Sequence, residues 1–173
     1  RGRVGLLGLP IAELPEVPLG ASPLVITEHA GLAAALEQRS DCQVRFGYQM
    51  TAGDQRTVDT RVIFVPKARE ALDMQLALAR FLLAENGQVL LVGEKREGIA
   101  GAARQLQALA PDTRKVDSAR HCQVWVAGLA ATETPFEPEQ WLRWHEVECA
   151  GTRISVAGMP GIFSDGRLDE GTA

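Results

Sequence analysis

Three expected strands, two of them apolar runs, each have cations within a few residues of their ends. Lys67 and Arg69 come after "RVIFV" (61–65), and Lys95 and Arg96 come after "QVLLVG" (88–93). Arg120 stands in the same relation to residues 114–119. Lysine and arginine at such places hold phosphate or another anion. In an alternating α/β fold, residues just past a strand's end lie at the carboxyl edge of the sheet, where ligands bind. If 114–119 runs parallel to the other strands, all five cations share that edge. The competing expectation is a set of solvated charges, with Glu70, Glu94 and Glu97 interleaved among them.

Other groups offer less. "VGLLGLP" (4–10) places Gly5 and Gly8 after a first strand. A nucleotide-binding turn needs closely spaced glycines so that backbone amides reach the ligand. Leu6, Leu7 and Leu9 fill the places between, and Pro10 lacks an amide donor, so a degenerate turn is expected. His29, His121 and His145 have no partner at metal-ligand spacing. His121 and Cys122 are adjacent on an expected strand and point to opposite faces, so Cys122 is expected to be buried rather than a nucleophile. Trp125 is expected in the core, and Trp141 and Trp144 in packing against the domain. Neither G-x-S-x-G nor G-x-x-x-x-G-K-[ST] occurs.

The elements that would position these groups follow from periodicity. Strands are predicted at 4–9, 24–27, 42–50, 61–65, 88–93, 114–119 and 122–128. In 42–50, alternation puts Val44, Phe46 and Tyr48 on one face. Helices are predicted at 28–39 with Thr27 as N-cap, at 67–86 with Gly87 as C-terminal cap, and at 99–110. Residues 10–23, with four prolines, form a loop. Strands alternate with helices as far as Pro111, which predicts a mostly parallel sheet covered on both faces. The pair 114–119 and 122–128 must be antiparallel. Such an α/β sheet, parallel with one reversed strand, resembles the Rossmann-like class I methyltransferase fold. After 130 the chain changes character. A short helical piece and a hairpin turning near 150–152 are expected, with Val147 and Cys149 opposite Ile154 and Val156.

The chain has 173 residues, enough for one domain, and is 46% hydrophobic and 23% charged. Its net charge of −4 counts mildly against a dedicated nucleic-acid binder but leaves room for a local basic patch. No apolar run approaches the ~20 residues of a membrane span. Three widely separated cysteines suit a reducing cytoplasm rather than a disulfide framework.

Three blocks carry a family resemblance: "LVGEKREGIAGAARQL" (91–106), "KVDSARHCQVWVAG" (115–128) and "MPGIFSDGRLDEGT" (159–172). In this order the chain from about 60 to 173 resembles the bacterial small-subunit (16S) ribosomal RNA guanine-N2 methyltransferases. Residues 1–59 match that family only in strand order. The resemblance implies two methyltransferase-like domains in tandem. The C-terminal one binds S-adenosylmethionine through a Gly-rich loop and holds the guanine amine near Asn-Pro-Pro. The N-terminal one is a degenerate copy without the cofactor loop, and here "VPKA" (65–68) stands where Asn-Pro-Pro would be. The resemblance therefore implies a degenerate domain at 1–130, a linker at 131–140, and at 141–173 a hairpin leading into a C-terminal catalytic domain. It places no catalytic residue in this chain and expects no cofactor and no metal bound to it. Gly171 and Thr172 would border the S-adenosylmethionine pocket of the intact protein. Its expected partners are small-subunit ribosomal RNA and its own catalytic half, in the cytoplasm, with no membrane. Two alternatives remain open, a paralogue acting on large-subunit RNA and a free-standing nucleotide-binding α/β protein.

Overall fold

A computed structural model describes residues 2–11, 13–14 and 22–161. Gly171 and Thr172, most of the proline-rich loop and most of the C-terminal tail lie outside the described residues.

Seven strands form one sheet: β1 (Val4–Leu7), β2 (Leu24–Thr27), β3 (Gln43–Phe46), β4 (Val58–Phe64), β5 (Leu83–Glu94), β6 (Arg114–Ala119) and β7 (Cys122–Gly128). Their order is β3-β2-β1-β4-β5-β7-β6. All pairings are parallel except those of β7, which runs against both β5 and β6. β6 therefore runs with β1 to β5. The order reverses beside β1, so connections leave to either side of it and open a crevice at the strands' carboxyl ends.

Helices α1 (Ala30–Glu37), α2 (Arg69–Leu82) and α3 (Ile99–Leu109) cover the sheet. The alternation of side chains along the strands divides the core in two. Leu6, Val25 and Leu36 pack on the α1 face, with Val62 and Phe64 half-buried against them. Leu7, Ile26, Ile63, Val89 and Leu91 pack with α2 and α3 on the other face. α2 buries far more than one stripe, including Leu72, Met74, Leu76, Leu78, Ala79, Phe81 and Leu82. Its outer side is covered by residues 130–141. Phe136 joins the core cluster and Trp141 packs against it. Arg80 Nε donates to the Ala130 carbonyl at 3.2 Å, and Gln55 Nε2 donates to the Thr132 carbonyl at 3.1 Å.

Several local expectations need correction. Thr27 is not the cap of α1. His29 holds that position, and Thr27 Oγ1 instead accepts from the His29 amide at 3.1 Å. β3 ends at Phe46, because Gly47 turns the chain with φ +80°. Tyr48 is consequently buried while Phe46 is 58% exposed, so the two do not share a face. α2 ends at Leu82, short of residue 86, and Leu83 pairs at once with Val58. Residues 84–87 bulge out with Asn86 at φ 61°, and the ladder resumes at Gln88 opposite Thr60. Gly87 therefore lies within β5 rather than capping a helix. A Cβ there would sit 2.9 Å from the Ala84 carbonyl oxygen.

The stretch 61–65 is not purely apolar inside. Arg61 is fully buried on β4, in register with Gly5 of β1. Its guanidinium occupies the space that a side chain on Gly5 would need. Its three nitrogens have no hydrogen-bond partner among the described residues. Burial pushes its pKa down to about 9, opposed by the nearby Tyr48.

Beyond the sheet, Pro138–Trp141 makes one 3-10 turn, so the helical piece comes slightly earlier than expected. β8 (Arg143–Cys149) and β9 (Thr152–Gly158) then form the hairpin. Val147 faces Ile154 as expected, but Cys149 pairs with Thr152, and Val156 with His145. Trp144 is 66% exposed rather than packed on the domain.

Candidate functional site

The five predicted cations all lie at the carboxyl edge of the sheet and all are exposed. Lys67 and Arg69 follow β4 at the start of α2. Lys95 and Arg96 occupy the turn between β5 and α3. Arg120, at φ 52°, makes the turn from β6 into β7. Because β6 runs with the parallel strands, Arg120 reaches the same edge as the others. Lys95 joins two of these turns: its amide donates to the His121 carbonyl at 2.8 Å, and its Nζ to the Arg120 carbonyl at 3.4 Å.

Lys67 and Arg69 line a groove of about 510 Å³ between α2 and α3, which runs to Glu97 and Gly98 just beyond Arg96. Arg104 lines the same groove and was not anticipated. It sits on α3, whose helical spacing marks it only as a surface position. None of the five cations makes an ion pair among the described residues, and Glu70 is engaged instead by Arg143 at 2.5 Å. Several arginines elsewhere are neutralised. Arg39 pairs with Asp41, Arg45 grips Asp54 through two bonds of 2.7 and 2.8 Å, and Arg56 reaches Glu133.

A second concavity of about 570 Å³ opens at the reversal of strand order. One wall is the turn after β1, with Gly8, Leu9 and Pro10; the other is Pro66 to Ala71, where β4 passes into α2. Gly8 is left-handed at φ +71°, and a Cβ there would stand 2.9 Å from the Phe64 carbonyl oxygen. Glu28, Tyr48 and Gln75 complete the cleft, with Pro160 and Gly161 at its margin. The Tyr48 hydroxyl donates to Glu28 Oε2 at 2.6 Å. Burial and the adjacent Glu28 carboxylate push the Tyr48 pKa up, so the phenol stays protonated, while a hydrogen bond from Gln75 opposes the shift. Gln75 is 3% exposed, and its Oε1 has no hydrogen-bond partner among the described residues.

Neither Glu28 nor Gln75 was singled out from the sequence. Glu28 follows Gly8 by twenty residues, the interval at which dinucleotide folds place a ribose-binding acid. Gln75 carries no comparable signal. Leu6 and Leu7 are fully buried and Leu9 nearly so, which leaves the first turn with one left-handed glycine and then a proline. That turn presents no run of amides and does not fit S-adenosylmethionine in the usual glycine-loop manner. His121 and Cys122 are both exposed, contrary to the buried cysteine expected. Trp125 is half-buried against the core and bonds Gln123 at 3.0 Å. No helix among the described residues is long and apolar enough to cross a membrane. No group of three or more His, Cys, Asp or Glu among them is placed to hold a metal.

Comparison with known proteins bears on these features. A ribosomal RNA small subunit methyltransferase C from Pseudomonas syringae pv. tomato is 39% identical over 176 aligned positions, covering 100% of this chain and 50% of that protein. One of the same description from Pseudomonas fluorescens is 40% identical, covering 84% and 42%. The chain thus spans about half the length of these relatives. Among solved structures, a T. thermophilus 16S rRNA N2 methyltransferase in complex with AdoMet and guanosine aligns with TM-score 0.71 at 19% identity, over 98% of this chain and 46% of that one. A Methanococcus jannaschii fibrillarin pre-rRNA processing protein aligns with TM-score 0.57 at 14% identity, over 76% and 68%. At those identities the structures establish the α/β methyltransferase-like fold alone. The family model described as methyltransferase small domain N-terminal matches residues 3–145, and the chain belongs to that family.

Proposed function

We propose that this chain is the non-catalytic N-terminal half of an S-adenosylmethionine-dependent 16S ribosomal RNA guanine-N2 methyltransferase, and that it holds the RNA for a C-terminal catalytic half. Methyl transfer and the cofactor belong to that second half, with Gly171 and Thr172 at the border of its pocket. The domain is taken through Trp141, because 131–140, expected as a linker between a domain at 1–130 and a hairpin segment at 141–173, packs on α2 with Phe136 in the core. The relatives' name supports the reaction class, and their doubled length supports a second half.

One observation carries the RNA role. Lys67, Arg69, Lys95, Arg96 and Arg120 stand along one edge with no ion pair among the described residues, in a protein whose net charge is −4. Unpaired cations on one edge suit a polyanion, whose binding releases counterions and so weakens with salt. The test is binding of small-subunit ribosomal RNA at two salt concentrations. The Lys95→Glu, Arg96→Glu double variant is expected to lose about tenfold or more in affinity and to flatten the salt slope by about two. Affinity unchanged by that variant would overturn the RNA role.

A second reading has its own observation. Val147, Ile154 and Val156 share one face of the hairpin, and Ile154 and Val156 are about 40% exposed. An apolar face of this kind suits packing against the catalytic half, which the native-state contact would stabilise. No RNA binding even at low salt would favour this supporting role.

A further inference from the structure

The hairpin carries a feature that the cation edge does not explain. Trp144 is 66% exposed. The base of the hairpin is fixed to the domain beside that edge. Arg143 reaches Glu70 in the first turn of α2, one residue from Arg69. Gly158 and Pro160 are buried, and Met159 packs against the main core. Pro160 and Gly161 line the same concavity as Lys67 and Arg69. Alternation along β8 then separates the two faces of the hairpin. Arg143 and the half-buried His145 share the face turned to the domain, so Trp144 stands on the other. Directly across the ladder it meets Ala157, and the rest of its face is Glu146, Ser155, Glu148 and Arg153. A tryptophan that anchors a protein interface is ringed by side chains that exclude water. This indole has one small apolar neighbour and is otherwise beside polar ones. Its flat ring is open, which is what stacking on a nucleic-acid base requires.

We propose that Trp144 stacks on an unpaired base of an RNA strand whose phosphates lie along the cation edge. The inference rests on the RNA-holding role and adds a base contact to it. Lys67 and Arg69 take the phosphates next to that base, because the Arg143 to Glu70 bridge ties the indole's strand to their turn. Every base has a flat face, so the contact selects single strand over duplex rather than one sequence over another. Glu146 and Glu148 limit its extent. They follow Trp144 on the same face toward the hairpin's tip, and their carboxylates repel phosphate. The strand therefore crosses the hairpin at its base. The rival occupant of this face is the catalytic half, and experiment separates the two.

A dye-labelled single-stranded oligoribonucleotide, and the same strand annealed into a duplex, are titrated into the 173-residue chain at low salt. The proteins are the native chain, Trp144→Ala, Trp144→Phe, Glu146→Gln and Lys95→Glu, each checked by its thermal melt. Trp144→Ala is expected to lower single-strand affinity by about tenfold and to leave duplex affinity unchanged. Trp144→Phe keeps a flat ring and should recover most of that loss. Glu146→Gln removes a repelling charge and should tighten single-strand binding by about twofold. Lys95→Glu should weaken both ligands and preserve their ratio. Tryptophan emission supplies a second readout, because Trp125 and Trp141 both pack against the core. Single strand should quench the native emission, and Trp144→Phe should lose most of that change. Single-strand binding that falls with Lys95→Glu but not with Trp144→Ala would overturn the stacking and leave the RNA role intact. No binding of either RNA would overturn both. In the full-length protein, the iodide quenching removed by Trp144→Phe should match that in this chain. An indole shielded there from iodide would mean that the catalytic half covers it, and the proposal would fall.

Discussion

Asp54 shows how one side chain can organise a turn that the sequence marks only as polar. Its carboxylate accepts from the Thr51 amide at 2.7 Å and hydroxyl at 2.8 Å, and both oxygens take bonds from Arg45. Burial works to raise its pKa, but the bonds from Thr51 and Arg45 outweigh it and hold the carboxyl below its usual range. The sign follows from linkage. A depressed carboxylate adds stability above its unfolded pKa, and that stability is lost as pH falls through the folded value. Asp54→Ala is expected to cost about 1–2 kcal/mol near neutral pH, measured by denaturant unfolding. The gap to the native protein should narrow as pH falls through the carboxyl's depressed folded pKa. A gap that stays constant would mean that the carboxylate's charge contributes nothing there. Arg61 makes the opposite point about legibility. Among Val62, Ile63 and Phe64 it reads as a strand's polar exception. Nothing local says that it is wholly buried, because its space is provided by a glycine on another strand.

At the scale of elements, the readable parts were those whose pattern and neighbours agree. β2, β6 and β7 fall where alternation and β-branched residues put them, and α3 begins at the residue expected. The helix before β5 was overextended because residues 83–86 have helical spacing and no breaker. Its end is set by Leu83 pairing with Val58, a contact between distant parts of the chain. The candidate site divides in the same way. Cations just past a strand are placed by periodicity, whereas the Glu28, Tyr48 and Gln75 group is assembled from β2, the turn after β3, and α2. The hairpin offers a direct test of local chemistry. Ala150 and Gly151 connect β8 to β9 with φ 50° and 76°, the paired left-handed turn that favours Asn-Gly. Ala150→Asn is expected to stabilise the hairpin by about 0.5–1 kcal/mol, read as slower amide exchange at Val147 and Ile154. Unchanged exchange would mean that Ala150 is not strained.

The whole molecule depends on residues past the sheet. Phe136 is 8% exposed within the main core cluster, although it lies beyond the last strand of the sheet. Phe136→Ala is expected to destabilise the domain by about 3 kcal/mol or more, seen in its thermal or denaturant melt. A chain cut at residue 130 should melt lower than one cut at 142, and equal melts would place the domain's working limit at 130. The sheet order carries a consequence for how the chain is made. β1 to β5 pair side by side and can assemble as soon as residue 94 is available. β6 then leaves the ribosome with no neighbour waiting, because its only partner is β7, the next strand to be synthesised. The newest strand must slot between β5 and β6, so the basic edge at Lys95 and Arg120 is completed only when synthesis has passed Gly128. A nascent chain that folds domain by domain would thus withhold its polyanion-facing edge until the sheet is whole.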